Sequence, residues 1–397
     1  MSKRKLFFLL FILYCSIHLL GREYAIYYPV NDSLKIGITG APFISYYSEV
    51  GFGLGLSIIS YEKSIKKRDF YKQDFFLRLS ADITEEGEFE LSIKNSTPIR
   101  KYKQNLTSLL EYKKRTIKYY GKDQNPSNKE EINFFPTIYK FICNWERQIV
   151  PRIRLGIVCD ISGYKNFVNK NLNNIDQSII TNEIYKETVS LSTPFSISKN
   201  SDFYLTQYLY DKTSFFRVVG LGPSILYNSK EPNNFPLKGF YYHNHVLFYN
   251  KLIYSDYNFI TINQDIQYYI SWNSHTIASQ IISQNTFKDC PLDYYPSQGG
   301  STFMRGLKIN RFIDDHLFGI QSEYRSPIFF WRLSMVGFTS TAISYKSMDD
   351  FYISNVNVTY GFGGRFALDK SERINARVDI GFSKEGYQLY LKFGEAF

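Results

Sequence analysis

Residues 374–397 read Ile374-Asn-Ala-Arg-Val-Asp-Ile-Gly-Phe382, then Ser-Lys-Glu-Gly, then Tyr387-Gln-Leu-Tyr-Leu-Lys-Phe-Gly-Glu-Ala-Phe397. In the first run Ala376, Val378, Ile380 and Phe382 are apolar, and Arg377, Asp379 and Gly381 fall between them. The last run repeats the pattern: Tyr387, Leu389, Leu391 and Phe393 take one parity, Gln388, Tyr390 and Lys392 the other. Side chains of a strand point alternately to opposite faces, so a period of two marks strands with one greasy and one wet side.

Upstream, the same period recurs. Val356, Val358, Tyr360 and Phe362 oppose Asn357, Thr359, Gly361, Gly363 and Arg365. Phe318, Ile320 and Tyr324 oppose Gln321, Glu323 and Arg325, and Ile260, Ile262, Ile266, Tyr268 and Ile270 oppose Thr261, Asn263, Asp265 and Gln267. Each run has the length that a tilted strand needs to cross a hydrocarbon layer, roughly 9–11 residues. Counting such runs from Leu34 onward gives roughly fourteen to sixteen, and sixteen is the expectation; boundaries between residues 100 and 215 are poorly marked, and Gly121–Asn133 reads as a long polar loop.

A soluble sandwich would alternate in the same way. Two features favour a membrane barrel. The 34 Tyr and 34 Phe gather near strand ends, as in interfacial girdles. The strands also follow one another without a helical segment, and an open sheet of that size exposes edges that closure removes. The only long apolar run is Leu6–Leu20, short for a membrane helix. The expected fold is therefore all-β, a transmembrane closed antiparallel β-barrel of about sixteen strands.

Met1-Ser-Lys-Arg-Lys is a charged leader to the apolar Leu6–Tyr14, so residues 1–21 read as a secretory signal peptide and 22–397 as the barrel domain. Cys143 and Cys159 flank Val150-Pro151 almost symmetrically, which leaves a cross-strand disulfide open in an oxidising compartment; Cys290 has no evident partner. The net charge of +10 is spread along the chain with no basic helix, so nucleic acid is not an expected partner. Phosphate-loop, dinucleotide and zinc-cysteine patterns are absent. His243 and His245 share a face, but no further ligands are evident, so no metal, cofactor or catalytic centre is expected.

Residues 299–397 resemble the C-terminal part of the barrel in the bacterial surface antigen superfamily, which includes the BamA/TamA insertases and two-partner secretion transporters. Gly299-Gly-Ser-Thr-Phe-Met-Arg305-Gly-Leu307 is similar to that family's loop with an Arg-Gly-aromatic tip, with Leu307 where an aromatic is usual. Phe318–Pro327, Tyr360–Asp369, Arg373–Gly381 and the ending at Phe397 resemble the strands that follow. Upstream, Pro42–Gly55 and Gly220–Lys230 resemble an opening hairpin and a middle strand, whereas 65–215 shows no clear likeness.

The resemblance implies a bacterial outer-membrane barrel with an inward-folded loop. Arg305 would pair with Asp379, with Glu323 as a secondary partner, and Gly306 would let the tip turn; ordinary solvated lumen charges are the alternative. The final strand, with Tyr387, Leu389, Leu391, Phe393 and Phe397, would be the signal read by the barrel assembly machinery. Outer-membrane lipids, client proteins or a separate periplasmic partner would be the other contacts. Only about a dozen residues separate position 21 from Leu34, too few for a POTRA unit of the family. Aid to protein insertion or translocation is therefore the first functional expectation, and a structural or pore-forming surface barrel the second.

Overall fold

The computed structural model describes residues 26–31, 34–47, 51–64, 76–84, 87–120, 132–165, 215–231, 236–369 and 374–397. The expected signal peptide and most of the Gly121–Asn133 loop lie outside the described residues. Among the described residues seventeen strands form one sheet, from Ile26–Asn31 to Gly386–Phe393. Every pairing is antiparallel, and nearly every strand pairs with its successor in the chain. Two pairings skip an insertion. Gln104–Lys114 pairs with Thr137–Val150 around a small hairpin of Ile117–Tyr119 and Ile132–Phe134. His275–Phe287 pairs with His316–Arg325 around the loop 288–315.

Ile26–Asn31 is a short strand against Leu34–Tyr47 that precedes the runs counted from the sequence. It contains Pro29, which lacks a backbone donor and suits an edge. The sheet curls until Gly386–Phe393 lies beside Leu34–Tyr47. Among the described residues no backbone ladder joins those two strands. Helical structure among the described residues is limited to single 3-10 turns, and no helix is long and apolar enough to cross a membrane.

Burial runs opposite to that of a soluble protein. On Asn357–Asp369, Val358, Tyr360 and Phe362 are 52%, 60% and 54% exposed, whereas Thr359 and Arg365 on the opposite face are at 0% and 2%. Val378 is exposed beside buried Arg377 and Asp379, and Ile320 and Tyr324 are exposed beside buried Gln321 and Glu323. An outward apolar face and a polar, filled interior are what alternation produces when a sheet wraps with its greasy side toward lipid.

Loop 288–315 packs against inward-facing side chains of the sheet. Its first part, Leu292–Tyr294, wedges into an aromatic cluster. Tyr249 and Phe259 stack at 4.0 Å, and Tyr294 meets both edge-on at 5.3 and 5.2 Å. The Tyr249 and Tyr294 hydroxyls each donate to Asp160 Oδ2 at 3.0 Å, and Tyr164 donates to Asp293 at 2.9 Å. A two-residue ladder between Ser297–Gln298 and Phe312–Ile313 then narrows the loop and sends its tip down the wall.

Candidate functional site: an arginine strap inside the sheet

The tip turns through residues whose backbone is left-handed. Gly299, Gly300 and Gly306 have φ of +104°, +116° and +117°, and Met304 +53°. At Gly306 only glycine avoids strain. Phe303, Met304 and Leu307 pack with Phe312, Leu317 and Ala342 beneath the tip. That apolar layer seats Arg305, which is fully buried. Leu307 belongs to this layer.

Arg305 spans two carboxylates that stand on strands three places apart. Its Nη1 donates to Asp379 Oδ2 at 2.8 Å and its Nη2 to Glu323 Oε2 at 2.5 Å. Between those strands lies Phe338, whose ring centroid is 3.6 Å from the guanidinium carbon. Glu323 and Phe338 are cross-strand partners, and Phe338 pairs onward with Gly361 and Gly361 with Gly381. The row ends in glycines because the tip needs room. A Cβ on Gly381 would lie 2.5 Å from the Arg305 carbonyl atoms.

Three more arginines complete the network. Arg365 Nη1 donates to Asp379 Oδ1 at 2.5 Å, and Arg377 Nη1 to Oδ2 at 2.8 Å. Arg325 Nε donates to Glu323 Oε1 at 2.8 Å. Arg365 Nε reaches Glu395 at 2.9 Å, and Asn375 donates to the other Glu395 oxygen at 2.8 Å. All these arginines, with Glu323 and Asp379, are at most 3% exposed, so each guanidinium left without a carboxylate would carry a large desolvation cost. Charge-assisted hydrogen bonds of this geometry are among the strongest a protein makes.

The tip backbone is fastened to the last two strands. Gly306 N donates to the Tyr390 hydroxyl at 3.1 Å, and that hydroxyl donates to Leu307 O at 3.2 Å. Ser383 Oγ donates to Gly306 O at 2.9 Å, while Arg377 Nη2 reaches Ser301 O at 2.8 Å. Tyr390 and Ser383 stand on Gly386–Phe393 and Ile374–Ser383, so the loop binds the sheet where its end meets its beginning.

With this geometry in place, the likenesses to known proteins can be set beside it. No family model and no curated protein matches the chain by sequence. Among solved structures, BamA from Haemophilus ducreyi lacking POTRA domains 1–3 superposes with a TM-score of 0.53 at 13% identity, over 96% of this chain and 77% of that one. CdiB from Acinetobacter baumannii superposes with a TM-score of 0.51 at 9% identity, over 91% of this chain and 60% of that one. The fold is that of a BamA-like barrel. At these identities the likeness concerns the fold alone, and this chain spans well under two thirds of CdiB.

The structure thus brings Arg305, Gly306, Asp379 and Glu323 together. Sequence reading placed Arg365, Arg377 and Arg325 on the wet face but gave them no part; strand register, which it lacked, is what joins them to the same carboxylates. It also missed Phe338, Tyr390 and Glu395. Along the final strand Tyr387 is exposed, Leu389 and Leu391 are half-buried, and Gln388 and Tyr390 are buried. The Phe393 side chain lies outside the described residues. Phe397 lies inward: its ring sits 6.4 Å from that of Tyr269, and its backbone oxygen accepts from Arg325 at 3.0 Å.

Proposed function

We propose that this protein is an integral outer-membrane barrel, closed along the seam between its first long strand and its last, that assists insertion or translocation of other proteins. The observation that carries the reading is the seam. Among the described residues Gly386–Phe393 and Leu34–Tyr47 are neighbours without a ladder, and the buried strap of Arg305, Gly306 and Leu307 holds the last two strands from within. A seam closed by proximity rather than by backbone hydrogen bonds can part at low cost, and the freed edge then offers itself to a client strand. In this reading the exposed apolar side chains, such as Val358, Tyr360 and Phe362, face lipid.

In this reading the site positions the wall and performs no catalysis, since Glu323 and Asp379 are each held by at least two guanidiniums. Client proteins, a separately encoded periplasmic module and the assembly machinery that inserts this chain are its partners. The reading as an open pore fits less well, because loop 288–315 occupies the interior. Reconstitution into liposomes with an unfolded barrel client tests the proposal. Faster client insertion is expected, together with its loss when cysteines cross-link the two seam strands. Client insertion no faster than into empty liposomes sinks it.

A further inference from the structure

A strand edge holds one ladder at a time, and the strand that opens the seam has part of its free edge already taken. Along one edge Leu34–Tyr47 is laddered without interruption to Gly51–Ser64, from Leu34 opposite Ser64 to Tyr47 opposite Gly51. Its other edge, the one toward the seam, pairs with Ile26–Asn31 over Leu34–Ile38. Among the described residues the rest of that edge, from Thr39 to Tyr47, carries no ladder. Gly386–Phe393 is likewise laddered on one side only, to Ile374–Ser383. While Ile26–Asn31 is in place, the last strand has no access to the Leu34–Ile38 backbone, which is one reason the seam lacks a ladder.

Ile26–Asn31 is held weakly. It has six residues, and its register shifts between Pro29 and Asn31, a bulge that takes Val30 out of the ladder. Pro29 has no backbone donor, and neither has Pro42 in the neighbouring strand, as suits strands at a sheet edge. So short a ribbon is of marginal stability by itself. Yet only Asp32 and Ser33 join it to Leu34, so a released strand stays at high local concentration beside the edge it left. A weak ladder on a short tether gives easy release and efficient return. Ile26, Tyr27, Tyr28 and Val30 are branched or aromatic types that favour strands, so the segment offers the edge the same kind of partner as an incoming strand would.

Resting on the seam reading above, we propose that Ile26–Asn31 is an exchangeable latch: it pairs with Leu34–Ile38 when the protein is idle and gives that edge up to an extended segment of another chain. The incoming segment adds by the same antiparallel main-chain bonding and, if longer, runs on along the unladdered Thr39–Tyr47. A segment that reaches both stretches gains more ladder than the latch loses. A short one does not displace it. The latch thus selects for long extended strands, and it blunts an edge that would otherwise pair with a second copy of this chain.

The test uses the full chain in detergent micelles carrying Tyr28→Cys and Ile36→Cys, at positions directly paired in register and so within disulfide reach. Wild type treated with the same oxidant controls for the native cysteines. The probe is a fluorescein-labelled peptide of residues 386–397, an alternating extended strand, followed by anisotropy. The reduced form should capture the peptide as wild type does, and the oxidised form about tenfold more weakly or not at all. Tyr27→Pro with Tyr28→Pro removes the donor that faces Leu34–Tyr47, whichever of the two bears it, and should capture the peptide about tenfold more tightly than wild type. In that variant hydrogen exchange should rise across Leu34–Ile38 and stay unchanged across Thr39–Tyr47. Oxidised and reduced forms share one polypeptide, so their comparison decides even where the proline variant does not fold. Equal capture by the two forms, capture by none, or cysteines that do not cross-link overturns the latch. Capture that tracks the latch, with no client insertion in liposomes, leaves the latch standing and sinks only the insertion role.

Discussion

Asp379 accepts from three guanidiniums, Arg305, Arg365 and Arg377, whereas Arg305 answers two carboxylates, and that asymmetry makes the two ends of the ion pair unequal. Among the described residues the network holds four arginines (305, 325, 365, 377) against Glu323, Asp379 and Glu395. Removing Arg305 leaves as many arginines as carboxylates. Removing the Asp379 carboxylate strands buried positive charge. Asp379→Ala is therefore expected to lower stability by about 3–5 kcal/mol, and Arg305→Met by distinctly less. Urea unfolding in micelles, followed by loss of heat-modifiable migration, measures both; an Arg305→Met barrel weaker than Asp379→Ala would refute this balance of charge. Gly306 offers a separate probe. Its φ is +117°, and a Cβ there would meet the Phe382 backbone at 2.7 Å, whereas the outward Gly364 has open space around its Cβ position. Gly306→Ala should destabilise by about 1–3 kcal/mol while Gly364→Ala is nearly neutral. Equal effects at the two glycines would show that the tip does not depend on its left-handed turn.

At the scale of elements, the loop 288–315 is held to the last strand by one hydroxyl. Tyr390→Phe keeps the ring and removes both the acceptor for Gly306 N and the donor to Leu307 O. Gly306 N then lacks that acceptor, at about 1–3 kcal/mol, while Leu307 O keeps the longer bond from Gly300 N at 3.4 Å. Limited trypsinolysis should cut Tyr390→Phe faster at Lys308 and Arg311 than wild type, with the strands intact; unchanged cleavage would mean that the ion network alone holds the tip. A second element, the hairpin of Thr137–Val150 and Ile153–Lys165, sets Cys143 directly opposite Cys159 in register, both as free thiols. Directly paired residues of an antiparallel ladder lie within disulfide reach. Diamide should remove the two maleimide-reactive thiols of Cys143 and Cys159 and leave the buried Cys290; no loss of reactive thiols at Cys143 and Cys159 would exclude the bridge. These elements also show what a sequence reveals. Alternation is local, so the strands around Val358, Ile320 and Val378 were legible from residue type alone. The Arg305–Asp379 contact spans 74 positions and came into view through the family-like loop, not through periodicity. The roles of Arg365 and Phe338 depend on register between strands, which no single strand encodes. Ile26–Asn31 was missed because six residues with a central proline carry too little pattern to count.

For the molecule as a whole, the loop is anchored at two depths, and the anchors are chemically different. Near the mouth, Tyr294 packs between Tyr249, Phe259 and Tyr164, bonds Asp160 through its hydroxyl, and lies 5.1 Å from the Lys140 ammonium. Deeper, Arg305 is clamped by Glu323 and Asp379. Tyr294 draws on apolar burial and ring geometry, Arg305 on paired charge, and the two lie in different side-chain clusters. Failure of one anchor therefore leaves the other in place, and the interior stays obstructed for most of the time. In planar bilayers the wild type is expected to be nearly silent. Tyr294→Ala and Arg305→Met should each produce brief openings, because the loop pivots on the surviving anchor and returns. The double variant should show sustained conductance that exceeds the sum of the singles, the signature of two supports for one obstruction. A double variant as quiet as the wild type would mean that something other than this loop fills the lumen, and the strap could then no longer be what keeps the wall shut around its seam.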